Sequence, residues 1–246
     1  MATGTAIVVA SGKGGTGKTS LTGGVAACLA RLGKTVLCID MDIGLRNLDI
    51  SLGMTDRALM DFTDVAQGRC PLARAAVSHP DMPNLFLLTA PVRLPEHITA
   101  KSMAALLATA RTQFDYILLD APAGLDAGFR LAACAADRAI VVATSDASSL
   151  RDAQRTVGEL SHISTVHLVM NRIQPKLLRQ LRTTIDDAMD TAGLPLLGVV
   201  PEDKNVILAA NAGRPVPFTG RQGAANAYLN IAKRLEGRHT PIMRIR

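Results

Sequence analysis

The sequence has few aromatic residues and no tryptophan. Aromatic side chains make up only 3% of its 246 residues. This scarcity argues against a protein that holds single-stranded nucleic acid by stacking bases on aromatic rings. Hydrophobic residues nevertheless total 48%. The core must therefore be built mainly from alanine, valine, leucine and isoleucine.

Cysteine is also scarce, and none of the cysteines is paired in a C-x-x-C motif. The four are Cys28, Cys38, Cys70 and Cys134. Their spacing indicates neither a zinc site nor a redox couple. Cys28 falls in a helical pattern and Cys38 in an apolar strand, which is typical of small buried hydrophobic residues. We expect reduced thiols and a cytoplasmic setting.

Long hydrophobic runs and strong charge imbalance are missing as well. No apolar run approaches the ~18 residues that span a bilayer, and the N-terminus lacks the plan of a signal peptide. The formal net charge is +6, from 27 basic and 21 acidic residues. This mild excess is compatible with anionic lipid, nucleic acid or a phosphate-binding enzyme, and with ordinary solvated charge.

The chain alternates short apolar runs with longer helical patterns. Strands are predicted at 5–10, 35–39, 85–88, 116–119, 139–143, 166–170 and 196–199, and helices at 18–31, 56–66, 99–110, 148–160, 176–190 and 224–235. Strands that are apolar nearly throughout are typical of a parallel sheet buried on both faces. The sequence therefore predicts a doubly wound, mostly parallel α/β sheet with helices on both faces. We expect a single domain over residues 1–236 and a short basic and apolar tail over 237–246.

A glycine-rich segment follows the first predicted strand and begins the first predicted helix. It fits the phosphate-loop pattern G-x-x-x-x-G-K followed by Thr or Ser. Glycines allow successive N–H groups to point at phosphate oxygens, and the helix N-terminus adds positive potential. Lys18 would contact the β and γ phosphates, and Thr19 would offer a hydroxyl to Mg²⁺; the alternative is a simple turn. The candidate nucleotide-binding residues are Gly12, Gly14, Gly15, Thr16, Gly17, Lys18, Thr19 and Ser20.

A second lysine, Lys13, precedes the loop glycines. The resulting pattern K-G-G-x-G-K-T resembles the deviant Walker A motif of the ParA/MinD family of ATPases. The resemblance implies a P-loop NTPase fold of the SIMIBI type, ATP or ADP with Mg²⁺ as cofactors, and an ATP-dependent homodimer. It also implies that Lys13 reaches the partner's nucleotide and neutralises charge there, as an arginine finger does.

Three aspartates stand where predicted strands end. Asp40 and Asp42 follow one apolar run, and Asp120 ends another, which is the Walker B plan. The segment 40–49 resembles switch I of the MinD branch of the family. That resemblance implies that Asp42 orients the attacking water, that Asp40 supports the magnesium shell and that Asp120 holds a Mg²⁺-bound water. Residues 120–124 resemble switch II, which would place the Gly124 N–H near the γ-phosphate.

Two later segments resemble the base pocket of the family. Asn171 ends a buried strand, and Pro201, Glu202 and Asp203 follow the last strand. The resemblance implies contacts with adenine, whereas turn capping is the structural alternative. Residues 148–152 resemble a dimer and partner surface, and an ordinary helix start explains them equally well.

The C-terminus departs from the family pattern, because MinD-type chains end in an amphipathic helix that docks on membrane. Here Tyr228, Ile231, Ala232 and Leu235 form one helical stripe, which we expect to pack on the core. Residues 242–246 are too short for an independent interfacial helix. Two tails in a dimer could add avidity, so docking at the inner face of the membrane stays open.

These motifs together predict a MinD-like ATPase switch in which Mg²⁺-dependent ATP hydrolysis is coupled to dimerisation. Its role would be division-site placement or related positioning, with an inhibitor of the MinC kind as one partner. Three alternatives remain. A ParA-type DNA-binding partition ATPase usually carries D-P-Q-G-N in switch I. A flagellar-number regulator usually has an N-terminal extension, and an iron–sulfur carrier or nitrogenase-like reductase needs paired cysteines.

Overall fold

A computed structural model describes residues 3–243, which form one eight-stranded sheet flanked by helices. The strand order is β3-β4-β2-β5-β1-β6-β7-β8. All neighbouring strands run parallel except β3, which pairs antiparallel with β4. The strands are β1 Thr5–Ala10, β2 Val36–Asp40, β3 Val77–His79, β4 Met82–Leu88, β5 Tyr116–Asp120, β6 Arg138–Ala143, β7 Thr165–Ile173 and β8 Leu196–Pro201. The prediction of a doubly wound α/β fold is confirmed.

The helices cover both faces of this sheet. They are α1 Lys18–Arg31, α2 Leu48–Leu52, α3 Phe62–Ala66, α4 Leu72–Ala75, α5 Ala100–Arg111, α6 Ala127–Ala133, α7 Ala147–Glu159, α8 Pro175–Leu181, α9 Ile185–Ala192, α10 Lys204–Asn211 and α11 Gly223–Leu235, with a 3₁₀ turn at Val216–Phe218. Side chains of β1 alternate between two cores. Ala6, Val8 and Ala10 face the layer with α5, and Ile7 and Val9 face the layer with α1 and α11.

Close packing of α1 against α11 depends on a glycine. A Cβ at Gly24 would overlap the ring of Tyr228, which is 1% exposed. Ile231, Ala232 and Leu235 of the same stripe are also buried. The expectation that this stripe packs on the core is confirmed.

Two predicted helices were wrong in extent. In place of 56–66, only Phe62–Ala66 is helical, because Asp61 and Asp64 form a capping box that begins the helix there. The predicted helix 176–190 is two helices. Arg182 adopts a left-handed φ of 50° after α8, and Thr184 with Asp187 forms a new capping box that begins α9.

The segment after α11 folds back along the edge strand β8. The guanidinium of Arg234 donates to the carbonyl oxygens of Thr240, Pro241 and Leu197 at 2.7–3.1 Å. Ile242 and Met243 line an apolar groove with Leu178 and Leu196. The rest of the predicted tail, residues 244–246, lies outside the described residues. Over residues 3–243 every helix is too short or too polar to cross a bilayer.

Candidate functional site

The phosphate loop connects the central strand β1 to α1. Gly15 and Gly17 adopt left-handed φ values of 79° and 86°, which favour glycine. The Asn171 side-chain amide donates to the Thr16 carbonyl oxygen at 2.8 Å. A Cβ at Gly17 would overlap that amide. The structure therefore brings together the loop and Asn171, which lie far apart in the sequence.

Neighbouring elements confine the start of the loop. A Cβ at Gly12 would lie 2.6 Å from the carbonyl oxygen of Asp152 in α7, so the loop backbone rests directly on that helix. A Cβ at Gly14 would lie 3.9 Å from the Ala123 side chain, in the segment between β5 and α6. Gly124 in this segment has a φ of 90° and open space around its Cα. The predicted switch II segment thus lies beside the phosphate loop.

The first turn of α1 carries the cation and hydroxyls predicted for phosphate binding. Lys18 is only 7% exposed, and the first turn contains no acidic residue. The positive end of the helix is therefore not offset locally. Within residues 3–243, Thr16 Oγ1 is a buried hydroxyl oxygen with no hydrogen-bond partner. A buried unpaired polar atom is costly, and a bound anion beside the loop would relieve that cost.

Asp40 and Asp120 face each other at the ends of β2 and β5, where they are register partners. Both are 1% exposed. Asp40 accepts hydrogen bonds from the N–H groups of Asp42 at 2.9 Å and Leu48 at 3.1 Å. Asp120 accepts one from the Thr22 hydroxyl at 3.1 Å. Asp40 therefore holds the segment that leads to Asp42, and Asp120 lies against the first turns of α1.

Burial raises the pKa of both carboxyl groups. Burial raises the pKa of Asp40 to about 7, and the charge of Asp120 adds to the shift. Burial raises the pKa of Asp120 to about 6, although the Thr19 hydroxyl and the Lys18 ammonium oppose it. Burial also raises the pKa of Asp42, again against Lys18. A cation placed here would stabilise the ionised carboxylates.

Lys13 is held within its own chain. Its ammonium donates to Asp146 Oδ1 at 3.1 Å and to the Ser148 hydroxyl at 2.9 Å. Partial burial raises the pKa of Asp146, but four hydrogen bonds to its carboxylate outweigh burial and hold this pKa well below its usual range. The donors belong to Ser148, Thr144, Ser149 and Lys13. Asp146 is also the N-cap of α7. Asp146 is a functional candidate that the sequence reasoning did not single out.

A cavity of about 190 Å³ opens beside the loop, on the side of β7 and β8. Its lining includes the predicted Ser20, Asn171, Pro201, Glu202 and Asp203, together with Gly15, Gly17, Val206, Ile207 and Tyr228. The predicted base-pocket residues therefore share one cavity. The Asp203 carboxylate is already engaged, since it accepts from the N–H groups of Asn205 and Ala224 at 2.9 Å each.

Arg172 is a lining residue that the sequence reasoning missed. It has a left-handed φ of 56°, at a register irregularity between β7 and β8. Its Nε donates to Glu202 at 2.8 Å, and its Nη1 donates to the Gly15 carbonyl oxygen at 3.1 Å. Thr22 beside Asp120 was missed as well. It stands on the same helix face as Lys18 four residues earlier, and this spacing is the signal that could have found it.

Comparisons with known proteins agree with this geometry. The family described as the CobQ/CobB/MinD/ParA nucleotide binding domain matches residues 7–216. The septum site-determining protein MinD of Synechocystis sp. is 40% identical over 96% of this chain and 91% of its own length. MinD of Bacillus subtilis is 38% identical over 97% and 91%.

Solved structures show the same likeness. The MinC:MinD cell division protein complex of Aquifex aeolicus contains a chain with a TM-score of 0.91 and 35% identity, covering 98% of both chains. MinD of Pyrococcus horikoshii, complexed with Mg-ADP, has a TM-score of 0.82 and 27% identity over 94% of this chain and 96% of that chain. A ParA family ATPase from Chlorobium tepidum, at 21% identity, shares the fold. The chain belongs to the CobQ/CobB/MinD/ParA family of nucleotide-binding domains, as a MinD-like P-loop ATPase of the septum-site-determining kind.

Proposed function

We propose that this chain binds ATP and ADP with Mg²⁺, and that ATP hydrolysis switches it between an ADP-bound monomer and an ATP-bound homodimer. The arrangement of Lys18, Thr19 and Asp120 carries the proposal. A buried carboxylate at a strand end lies beside a hydroxyl and an ammonium at the start of a helix. This combination serves triphosphate binding and phosphoryl transfer.

The donor set at this position fits magnesium. Mg²⁺ prefers hard oxygen ligands and is usually held by one or two protein groups together with phosphate and water. The Thr19 hydroxyl and the Asp120 carboxylate supply such oxygens. The raised pKa of Asp120 supports this assignment, because a nearby cation would stabilise the buried carboxylate. When bound, the ion would neutralise charge on the β and γ phosphates. Asp40 supports this shell from β2.

The remaining loop residues position the phosphates. The loop backbone, from Gly12 to Ser20, presents its N–H groups, and Lys18 balances the charge on the transferred phosphoryl group. Asp42 is assigned to orient the attacking water. Its backbone N–H is held by the Asp40 carboxylate, and its own carboxylate lies close enough to Lys18 for that charge to lower its pKa against the effect of burial. Gly124 offers its N–H to the γ-phosphate without side-chain obstruction.

The cavity beside the loop receives the adenine base. Asn171 links the loop to this cavity, and the Pro201–Asp203 turn forms its wall. Glu202 acts through its ion pair with Arg172. Because Asp203 is engaged by two backbone N–H groups, its contribution is to shape the wall and to join α10 to α11.

Lys13 makes the loop a deviant Walker A motif, and we assign it to the partner's nucleotide in the dimer. In the single chain Lys13 pairs with Asp146 and Ser148, and its side chain is 44% exposed. An exposed pair of this kind contributes little to stability. Lys13 can therefore exchange its own-chain partner for a phosphate of a second subunit at small cost.

Variants of the two loop lysines test the proposal. Lys18→Ala should lose nucleotide binding, whereas Lys13→Ala should keep binding but lose the ATP-dependent dimer. Its hydrolysis should fall by about 10³-fold, the lower end of what a trans-acting cation contributes. Light scattering coupled to size-exclusion chromatography in ATP and in ADP would measure the dimer. Lys101→Ala changes an exposed residue of α5. This variant is the control and should match wild type.

A Lys13→Ala protein that dimerises and hydrolyses ATP normally would contradict the cross-dimer assignment. Magnesium dependence gives a separate check, since Thr19→Ala should weaken binding of Mg-ADP far more than binding of ADP in a chelator. If both affinities fall equally, Thr19 does not contact the ion.

At the cellular level we propose placement of the division site, with the switch acting in the cytoplasm and an inhibitor of the MinC type as partner. The support is the likeness to septum-site proteins and to the MinC:MinD complex. We also propose that residues 1–236 act as a single ATPase domain and 237–246 as its tail. Co-sedimentation with anionic liposomes in ATP and in ADP tests whether the membrane takes part.

A further inference from the structure

A groove on the outer surface of α1 and α11 lies apart from the nucleotide site. Its volume is about 500 Å³. Cys28, Leu32 and Leu229 form an apolar floor, and Arg31, Arg221 and Lys233 stand around it. We call this feature the α1–α11 groove. An apolar concavity between two helices is the shape that accepts the protruding side chains of a third helix.

The charge around the α1–α11 groove is entirely positive. Its lining contains no acidic residue, and within residues 3–243 none of the three basic side chains forms an ion pair. Arg31 donates to the Pro217 carbonyl oxygen at 2.7 Å, which fixes its guanidinium beside the floor. Three like charges around an apolar floor attract a ligand that is both anionic and apolar.

We propose that the α1–α11 groove is a docking site for an acidic amphipathic helix of a partner protein. Apolar side chains of that helix would enter the floor, and its Asp or Glu residues would pair with Arg31, Arg221 and Lys233. The concave shape favours a protein partner over a lipid bilayer, because a flat membrane surface engages protruding side chains and not a recessed floor.

The position of the groove makes this docking independent of the nucleotide switch. Lys18 begins α1, and Cys28 lies ten residues later on the same helix. At 1.5 Å per residue, the groove begins about 15 Å along the helix from the phosphate site. A helix bound there leaves Lys13 and the phosphate loop uncovered. The partner should therefore bind equally in ADP and in ATP.

A synthetic helix can test the proposed chemistry directly. The probe is a fluorescein-labelled 14-residue helical peptide with leucine at i, i+3, i+4 and i+7 and glutamate at the remaining positions. Its anisotropy should rise with the full-length protein to saturation, equally in ADP and in ATP. Arg221→Glu with Lys233→Glu should weaken binding by about tenfold or more, because attraction becomes repulsion. Leu229→Gln should also weaken peptide binding, because it places a polar side chain in the apolar floor of the groove.

Matched controls separate this site from general attraction to a basic protein. Arg74→Glu with Lys101→Glu makes the same charge change on exposed residues of the opposite helical layer, and it should leave affinity unchanged. A peptide with lysine in place of glutamate should not bind. All these variants should keep basal ATP hydrolysis, so loss of peptide binding would not be confused with failure of the proposed ATPase.

The proposal fails if the acidic peptide does not bind at millimolar protein, or if the two charge-reversed double variants weaken it equally. It also fails if phosphatidylglycerol vesicles displace the peptide from wild type and bind through Arg221 and Lys233. That result would assign the basic side chains to a membrane.

Discussion

At the scale of single residues, His79 connects the edge strand β3 to α2. It is 4% exposed. Its Nδ1 accepts from the Asp81 N–H at 3.0 Å, so Nε2 carries the proton and donates to the Leu52 carbonyl oxygen at 3.0 Å. Phe218 stacks on the ring at 6.2 Å. Both ring nitrogens are engaged in the neutral form, and protonation would break the bond from Asp81.

This geometry predicts a loss of stability in mild acid. Burial lowers the pKa of His79 in the folded chain, whereas an unfolded histidine titrates near pH 6.5. The unfolded state therefore binds more protons as pH falls through about 6.5, and folding loses stability there. Urea unfolding at pH 7.5 and 5.5 should show a larger loss for wild type than for His79→Asn, which can still accept from Asp81.

Asp40 and Asp120 are present in both wild type and His79→Asn, so their contribution to the pH dependence of stability cancels in the comparison. His239→Asn, in the exposed tail segment, is the matched control and should keep the wild-type pH dependence. Identical pH dependence in wild type and His79→Asn would show that this ring does not titrate with folding.

At the scale of elements, the surroundings of two helical glycines, one in α1 and one in α7, lead to opposite predictions. Gly24→Ala should destabilise the protein by about 1–3 kcal/mol, because the added methyl overlaps the buried Tyr228 ring. Gly158 in α7 has no neighbour within 4 Å of an added Cβ. Gly158→Ala should therefore stabilise by up to about 1 kcal/mol through helix propensity alone.

Chemical denaturation measures both effects. Tyr228→Ala in the Gly24→Ala background should cost less than Tyr228→Ala in wild type, because the overlap is removed with the ring. Additive effects of the two substitutions would mean that α1 and α11 do not meet at this point.

The contact between β7, β8 and the phosphate loop leads to a prediction about affinity. Arg172→Ala removes both the pair with Glu202 and the bond to Gly15. ADP binding should weaken by about three- to tenfold, the effect of losing one ordinary hydrogen bond. Arg179→Ala, on exposed α8, is the control. Calorimetric titration with ADP measures both, and equal affinity of the two variants would rule out a role for Arg172.

Elements marked by one continuous sequence pattern were predicted well. Prediction failed where a local turn or cap interrupts a pattern that otherwise continues. The central strands were found because each is apolar throughout, and α1 was found because it follows the loop glycines. The helix 176–190 was predicted whole because its apolar spacing continues across residues 182–184. The left-handed Arg182 and the Thr184 capping box interrupt it, and neither is visible in periodicity.

Site residues also fall into those that the sequence could identify and those that it could not. Motif residues such as Lys18, Asp120 and Asn171 could be named because their order along the chain matches a known pattern. Arg172 and Asp146 could not, because each acts through a partner more than twenty residues away in sequence. Their roles depend on which strands are neighbours, and that is a property of the folded sheet.

At the scale of the whole molecule, one side chain supplies several of the contacts that hold the tail. Arg234 bonds three carbonyl oxygens, from Leu197, Thr240 and Pro241. Arg234→Ala should release the segment after Gly237, so trypsin should cleave after Arg238 several times faster. Mass spectrometry of timed digests would follow that product. Lys233→Ala also removes one positive charge but breaks no hydrogen bond found in residues 3–243, and should cleave at the wild-type rate.

The hold of Arg234 on Leu197 also bears on self-association. An open sheet presents two edges to which foreign strands can add, and natural proteins protect such edges. At one edge, β3 is three residues long, antiparallel and bulged at Ser78 and His79. At the other edge, the Arg234 guanidinium donates to the Leu197 carbonyl oxygen of β8, and the tail lies beside this strand. Aggregation through strand addition is thus discouraged at both edges of the sheet.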